Sequence, residues 1–157
     1  LGYHIGPIKP TWMKDVNKIA VHTFRNDTLE PRIEVDMANA VIKQFQQDGT
    51  FQIVKDEDAD AILDATVDLI ARRPARTVIG NVLQTQEFTL QIRGRFTLTK
   101  KGTGQLIDQR AIVGQTSFYT SGSGSVAEDV LADERQAVPL AAEDMATQLV
   151  SLYSEGW

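Results

Sequence analysis

The sequence contains no cysteine, which removes disulfides, zinc ribbons, iron–sulfur clusters and thiol catalysis together. It leaves the compartment open, because a cysteine-free chain is at home in reducing and oxidising spaces alike. The fold must hold by packing, and at 157 residues it can, since a domain of this size buries about 68 to 70% of the surface its unfolded chain exposes. Nowhere does an apolar run reach the roughly 18 residues of a membrane-spanning helix, and the N-terminus lacks the charged-then-apolar layout of a secretory signal. The chain therefore reads as soluble, or as the processed part of something longer. Positive charge is also short: 16 Lys and Arg face 21 Asp and Glu, a formal net charge of −5. Phosphate backbones repel such a protein unless it carries a local basic face.

What remains is an ordinary globular composition, 42% hydrophobic and 24% charged, ordered into regular patterns. Leu1 to Lys14 holds Gly2, Gly6, Pro7 and Pro10 and reads as an extended arm. Between Val16 and Phe24, Ile19, Val21 and Thr23 alternate with Ala20, His22 and Phe24, a first strand closed by the turn formers Asn26, Asp27 and Thr28. From Pro31, which costs a helix start no bond, the period becomes helical. Val35, Ala38, Val41, Ile42 and Phe45 share one face, and Gly49 is the stop. A short strand, Phe51 to Val54, and an acidic turn, Lys55 to Asp58, come next. Then Ala61, Leu63, Ala65, Val67 and Leu69 alternate with Ile62, Asp64, Thr66, Asp68 and Ile70.

Arg72 to Gln86, with Arg72, Arg73, Pro74 and Arg76, reads as a long irregular connection. Beyond it Phe88, Leu90, Ile92, Phe96 and Leu98 point one way around Gly94, while Arg93, Arg95 and four polar neighbours point the other. Lys101-Gly102-Thr103-Gly104 turns the chain and Gln105 to Tyr119 returns beside it as a hairpin partner. Thr120 to Ser125 reads as a flexible loop. The last segment is a helix striped by Leu131, Val138, Ala142, Met145, Leu149 and Leu152, in which Pro139 predicts a kink or break near 138.

These patterns predict one α+β domain over 1–157, a two-layer sandwich with two helices packed on one face of a mixed or antiparallel sheet of four to five strands. The expected core is Val41, Ile42, Phe45, Phe88, Leu90, Ile92, Phe96, Leu98, Met145 and Leu149. The other sheet face must meet water, a partner or a ligand. Arg93 and Arg95 stand on that face at i and i+2, about 7 Å apart, and Lys100 and Lys101 extend the positive edge toward the turn. Guanidinium groups grip phosphate in a bidentate manner, so these four are the candidate anion-binding residues, with Arg72, Arg73 and Arg76 as a second cluster. The competing reading is a solvated face, neutralised by cross-strand carboxylates such as Asp108.

Nothing points to catalysis or to a metal. His4 and His22 have no second ligand at helical spacing, and no G-x-S-x-G elbow is present. His22 reads as a partly buried strand residue. The carboxylates at Asp56, Glu57 and Asp58 and at Glu128, Asp129, Asp133 and Glu134 suit solvated turns and a helix start. Gly102-Thr103-Gly104 joins two strands and opens no helix, so it is not a phosphate cradle. The residues describe a binding or structural module with no cofactor and no nucleic-acid partner.

Several short segments go further when taken together. Gly2-Tyr3-His4-Ile5-Gly6 resembles the segment directly behind the acylated cysteine of LptE-type lipopolysaccharide-assembly lipoproteins. Ile19 to Thr28, followed by Leu29-Glu30-Pro31, is similar to that family's first strand and helix entry. So are Ala59-Asp60-Ala61, the Lys101 to Gly104 turn and the last helix before Trp157. His22 stands where the family often has proline, and Leu1 where a lipid-bearing cysteine is expected. The resemblance implies a non-enzymatic, periplasm-facing lipoprotein of the outer membrane. Its partners would be an LptD-type β-barrel and lipopolysaccharide, and it would meet the membrane only through an N-terminal lipid anchor absent from this chain. Some members contact lipopolysaccharide through basic loop residues; the matching positions here, near Asn81 and Val130, are not basic, and that site is not carried over. The alternative is a periplasmic adaptor that binds a protein or peptide along its sheet.

Overall fold

The computed structural model describes the backbone of residues 9–77, 85–121 and 126–156, and their side chains apart from 75–77, 85, 86, 120, 121 and 126–133. In chain order the elements are β1 (Lys18–Val21), β2 (Arg25–Asn26), α1 (Ile33–Asp48), β3 (Gln52–Ile53), β4 (Ala61–Thr77), β5 (Thr85–Lys100), β6 (Leu106–Ser121) and α2 (Val126–Glu155). They make an α+β fold around a six-stranded sheet of order β3-β1-β4-β5-β6, with β2 also paired to β4. The links at β1, β2 and β3 are parallel, whereas β4, β5 and β6 run antiparallel. Connection length explains the difference. Helix α1 gives the chain room to return in the same direction, while the tight turn after Lys100 can only reverse it.

Helix α2 packs on β5 and β6, and α1 packs on α2 and toward β3 and β4. Val41, Phe45, Leu90, Ile92, Phe96, Leu98, Met145 and Leu149 are fully buried between these layers, and Phe88 is nearly so. Ile42 is only half-buried and Val35 is exposed. The ridge that α1 turns inward is Ile33, Met37, Val41 and Phe45, a strict i, i+4 row. Pro31 stays outside the helix, whose N-cap is Arg32 in a left-handed conformation at φ 67°. Gly49 ends it, its N–H donating to the Phe45 carbonyl at 3.0 Å.

Two glycines set how closely the layers meet. A Cβ at Gly114 of β6 would strike the Ala141 carbonyl oxygen of α2 and lie 2.7 Å from the Met145 Cβ. A Cβ at Gly94 of β5 would lie 2.9 Å from the Met145 sulfur and 3.1 Å from that of Met37. Glycine is the residue that permits such an approach of backbone to backbone.

The structure corrects several expectations. Arg72, Arg73, Pro74 and Arg76 do not form an irregular connection, because β4 continues to Thr77; a register shift between Pro74 and Arg76 absorbs the proline, which cannot donate to a ladder. A second shift, between Val67 and Leu69, makes Asp68 an extra residue and turns over everything after it. Leu69 therefore faces solvent and Ile70 packs against the core. Of the kink or break expected near 138, the break does not occur, since helix α2 continues through Pro139; Arg135 and Pro139 are both exposed, so water can serve the carbonyl that loses its donor. Of Thr120 to Ser125, the first two residues belong to β6 and 122–125 lie outside the described residues. Residues 1–8 of the arm lie outside them too, and Thr11–Met13 form a single 3-10 turn that buries Met13.

Candidate functional site

The sheet face turned away from the helices is mostly polar, with Leu69 and Val113 exposed beside Arg93, and its best-defined feature sits at the bulge. Asp68 has a side chain only 14% exposed; one oxygen accepts from Arg93 Nε at 2.8 Å and the other from Arg95 Nε at 2.5 Å. The Arg93 hydrogen bond is the largest of the influences that hold the Asp68 carboxyl below its usual range, and the same bond raises Arg93. Two cations share one anion, so the cluster keeps a net positive charge. Asp108 is not the neutralising partner. It lies on the helix side of β6, where it holds its neighbour Arg110 through two bonds of 2.7 Å and raises it. The signal in the sequence that could have found the cluster is parity: Asp68 falls on the polar side of its strand, as Arg93 and Arg95 do on the next.

The other candidate cations are dispersed along the sheet. Arg72 Nη1 donates to Glu134 Oε2 at 2.9 Å, which ties β4 to α2. Arg73 is exposed, and the side chain of Arg76 lies outside the described residues. Lys100 and Lys101 are exposed at the far end of β5, five strand residues or about 16 Å beyond Arg95, and neither forms an ion pair among the described residues. Arg93 and Arg95 are thus brought together, and so are Lys100 and Lys101, as two separate positive features.

His22 follows the end of β1 and bridges two acids, Nδ1 to Asp64 and Nε2 to Asp56, each at 2.8 Å. The Asp56 hydrogen bond is foremost in raising the imidazole above its usual value, against partial desolvation. The sequence reading placed this histidine as a partly buried strand residue and missed the clamp. Ser154 donates to the Val150 carbonyl at 2.7 Å; burial pushes the Tyr153 phenol up, and its hydroxyl, like Glu34 Oε2, is buried without a hydrogen-bond partner among the described residues. Among the described residues no group of three His, Cys, Asp or Glu side chains could hold a metal ion, and no helix is long and apolar enough to cross a membrane.

A family model described as LptE, lipopolysaccharide-assembly, matches residues 16–152. The chain belongs to the LptE family. No curated protein matches it in sequence. Among solved structures it is similar to a minor lipoprotein from Acinetobacter baumannii, with 13% identity and a TM-score of 0.55 over 90% of this chain and 94% of that one. It is similar also to a putative lipoprotein from Caulobacter crescentus CB15, with 14% identity and a TM-score of 0.53 over 86% and 89% of the two chains. A dodecamer of a PelC variant from Paraburkholderia phytofirmans shares 15% identity and a TM-score of 0.51 over 95% and 94%. At such identities these likenesses speak for the fold. The span matched to the LptE family holds the Asp68 cluster, the His22 clamp and the two lysines, while Trp12 precedes it.

Proposed function

We propose that this chain is a non-enzymatic, single-domain lipoprotein of lipopolysaccharide assembly, anchored by an N-terminal lipid at the periplasmic face of the outer membrane. There it supports an LptD-type β-barrel and helps deliver lipopolysaccharide to the cell surface. The observation that carries this reading is membership of the LptE family over residues 16–152, in a fold whose second sheet face no helix among the described residues covers. Preorganisation at the entry to α1 adds support. Asn26 Oδ1 accepts from the Thr28 N–H at 2.8 Å and from its hydroxyl at 2.6 Å, and Asn26 Nδ2 donates to the Glu30 carbonyl at 2.7 Å. These bonds hold Leu29 fully exposed. One exposed leucine is ordinary, but one carried on a tied loop loses little freedom on meeting a partner. The test is co-purification of the full-length lipidated protein with its cognate barrel. A stable complex is expected, and failure to associate under conditions that keep both folded overturns the reading.

Within that role, the Arg93–Asp68–Arg95 cluster and the Lys100–Lys101 pair are the proposed contacts for lipopolysaccharide phosphates or acidic groups on the partner. Arg93→Gln with Arg95→Gln should lose most of the salt-sensitive binding to purified lipopolysaccharide; unchanged binding at low salt moves the site elsewhere, with Arg72, Arg73 and Arg76 next. The adaptor alternative, peptide pairing along the sheet edge, is weakened by α2. Asp144 accepts from the Gln115 N–H and Gln148 donates to the Val113 carbonyl, each at 2.9 Å, so the middle of the β6 edge is already engaged.

A further inference from the structure

A cavity of about 450 Å³ opens at the end of the sheet where β4 begins and β5 ends. Three segments distant in sequence wall it: the 3-10 turn before β1, the residues leading into β4, and the β5–β6 turn. Its chemistry is two-sided. Val16 and Ala59 make a buried apolar floor, and Trp12 (39% exposed) and Leu106 (53% exposed) stand at its mouth. Trp12 is not a loose surface ring, because it meets Tyr153 edge-on at 5.8 Å and 83°. The other side carries Lys100 and Lys101, which have no ion-pair partner among the described residues. Of the two carboxylates that also line the cavity, Asp60 already accepts from the backbone N–H groups of Asn17 (2.9 Å) and Lys18 (3.0 Å) through one oxygen. Asp15 is exposed.

Paired cations alone describe a solvated turn, and an exposed indole alone describes ordinary surface. Their meeting over an apolar floor describes a place for a molecule charged at one end and greasy at the other. We propose that this cavity binds the anionic head of an amphiphile, with a phosphate on Lys100 and Lys101 and the first methylenes of its chain against Trp12 and Leu106. The volume admits a headgroup and a short stretch of chain, not a whole lipid. Lysine suits this task as a point charge that does not require one phosphate orientation. The inference deepens the anion reading of Lys100 and Lys101 and rests on it, but not on the barrel partnership. The phosphate could belong to lipopolysaccharide or to a glycerophospholipid.

The sequence has two tryptophans, so Trp157→Phe leaves Trp12 as the reporter. Titrating that protein with dihexanoyl phosphatidic acid below its micellar concentration should give a saturable change in Trp12 emission. Dihexanoyl phosphatidylcholine should bind far more weakly. Adding Lys100→Gln and Lys101→Gln should raise the dissociation constant roughly tenfold or more. Adding Leu106→Ser instead should weaken phosphatidic acid several-fold while leaving inorganic phosphate unchanged, a split that a general loss of folding would not produce. Competition by the acyl-free bisphosphorylated glucosamine disaccharide assigns the phosphate to lipopolysaccharide, and competition by glycerol phosphate assigns it to a phospholipid. Equal affinity for the zwitterionic lipid, absence of saturation, or indifference to the glutamine pair overturns the proposal. Since the titration uses the isolated protein, its failure leaves barrel association standing, and loss of barrel association leaves the titration standing.

Discussion

The two faces of the β4–β5–β6 sheet hold by different means. On the helix side Phe96, Ile92, Leu90 and Leu98 are fully buried, so each contributes in proportion to the apolar area it hides. On the open side Arg93 and Arg95 lean on Asp68 across exposed surface, and His22 leans on Asp56 and Asp64. Those contacts compete with water and salt. The comparison teaches that stability and recognition are kept apart here. The covered face can lose little without unfolding, whereas the open face can change its charges and keep the fold.

The sharpest way to break that contrast is to truncate neighbours of opposite parity. Phe96, which also meets Phe24 edge-on at 6.1 Å, should cost about 3 to 5 kcal/mol as Phe96→Ala. Thr97, the next residue on the same strand, should cost within about 0.5 kcal/mol as Thr97→Ala. Denaturant midpoints of the two variants check it, and similar values would remove the distinction between the faces.

The two glycines refine the picture of the covered face. Gly114→Ala pushes a methyl into the backbone of α2 at Ala141 and Met145, which cannot yield without moving the helix. About 3 kcal/mol is expected, the upper end of ordinary overpacking. Gly94→Ala meets the sulfur ends of Met145 and Met37 and the Phe96 ring edge, and thioether ends can turn aside. About 1 to 2 kcal/mol is expected there, read from thermal unfolding. A larger loss at Gly94 would mean that the methionines are locked.

The covered face was also the legible one, for a physical reason. Alternation in β5 follows from burial alone, and burial is what hydrophobic pattern reports, so Phe88 to Leu98 fell on the correct side. Legibility failed where a single residue broke the period. The extra residue at Asp68 turned Leu69 outward and Ile70 inward, and the shift beside Pro74 kept a strand going through a stretch of arginines that resembles a connection. In α1 the helix starts two residues later than Pro31, behind the left-handed Arg32, and its buried i, i+4 row runs from Ile33 through Met37, not from the expected Val35. The open face was harder still. Alternation along each strand puts Asp68, Arg93 and Arg95 on the outward side, but which outward carboxylate the arginines hold is chosen by register across two strands, which no local pattern contains.

A smaller effect tests the open face at its bulge. Asp68→Asn removes the charge shared by Arg93 and Arg95 while keeping the shape, and about 1 to 2 kcal/mol is expected near neutral pH, discounted for the exposure of both guanidinium groups. Because the folded pKa is depressed, this stabilisation is present above the unfolded value near 3.9 and is lost as pH falls through the folded one. The parent and Asp68→Asn unfolding curves should therefore converge in strong acid. A gap that persists there would assign the loss to packing.

The smallest effect separates the two clamps of the open face by sign. His22 is held between carboxylates at both ring nitrogens, and a neutral imidazole has one proton to offer where two acceptors wait. The cation satisfies both, which is why the folded pKa is raised. Its contribution is complete below the unfolded value near 6.5 and disappears as pH rises through the folded value, opposite in direction to the Asp68 cluster. With the ring 36% exposed and Asp56 and Asp64 more so, the clamp is worth roughly half a kcal/mol. His22→Gln should lower stability by that amount at mildly acid pH and leave it unchanged in alkali. A proton NMR titration of the ring gives the direct reading: the folded value should lie above 6.5 and fall in both Asp56→Asn and Asp64→Asn. If it sits at or below 6.5, the two acids do not hold the histidine in solution, and the residue reverts to an ordinary polar neighbour of β1.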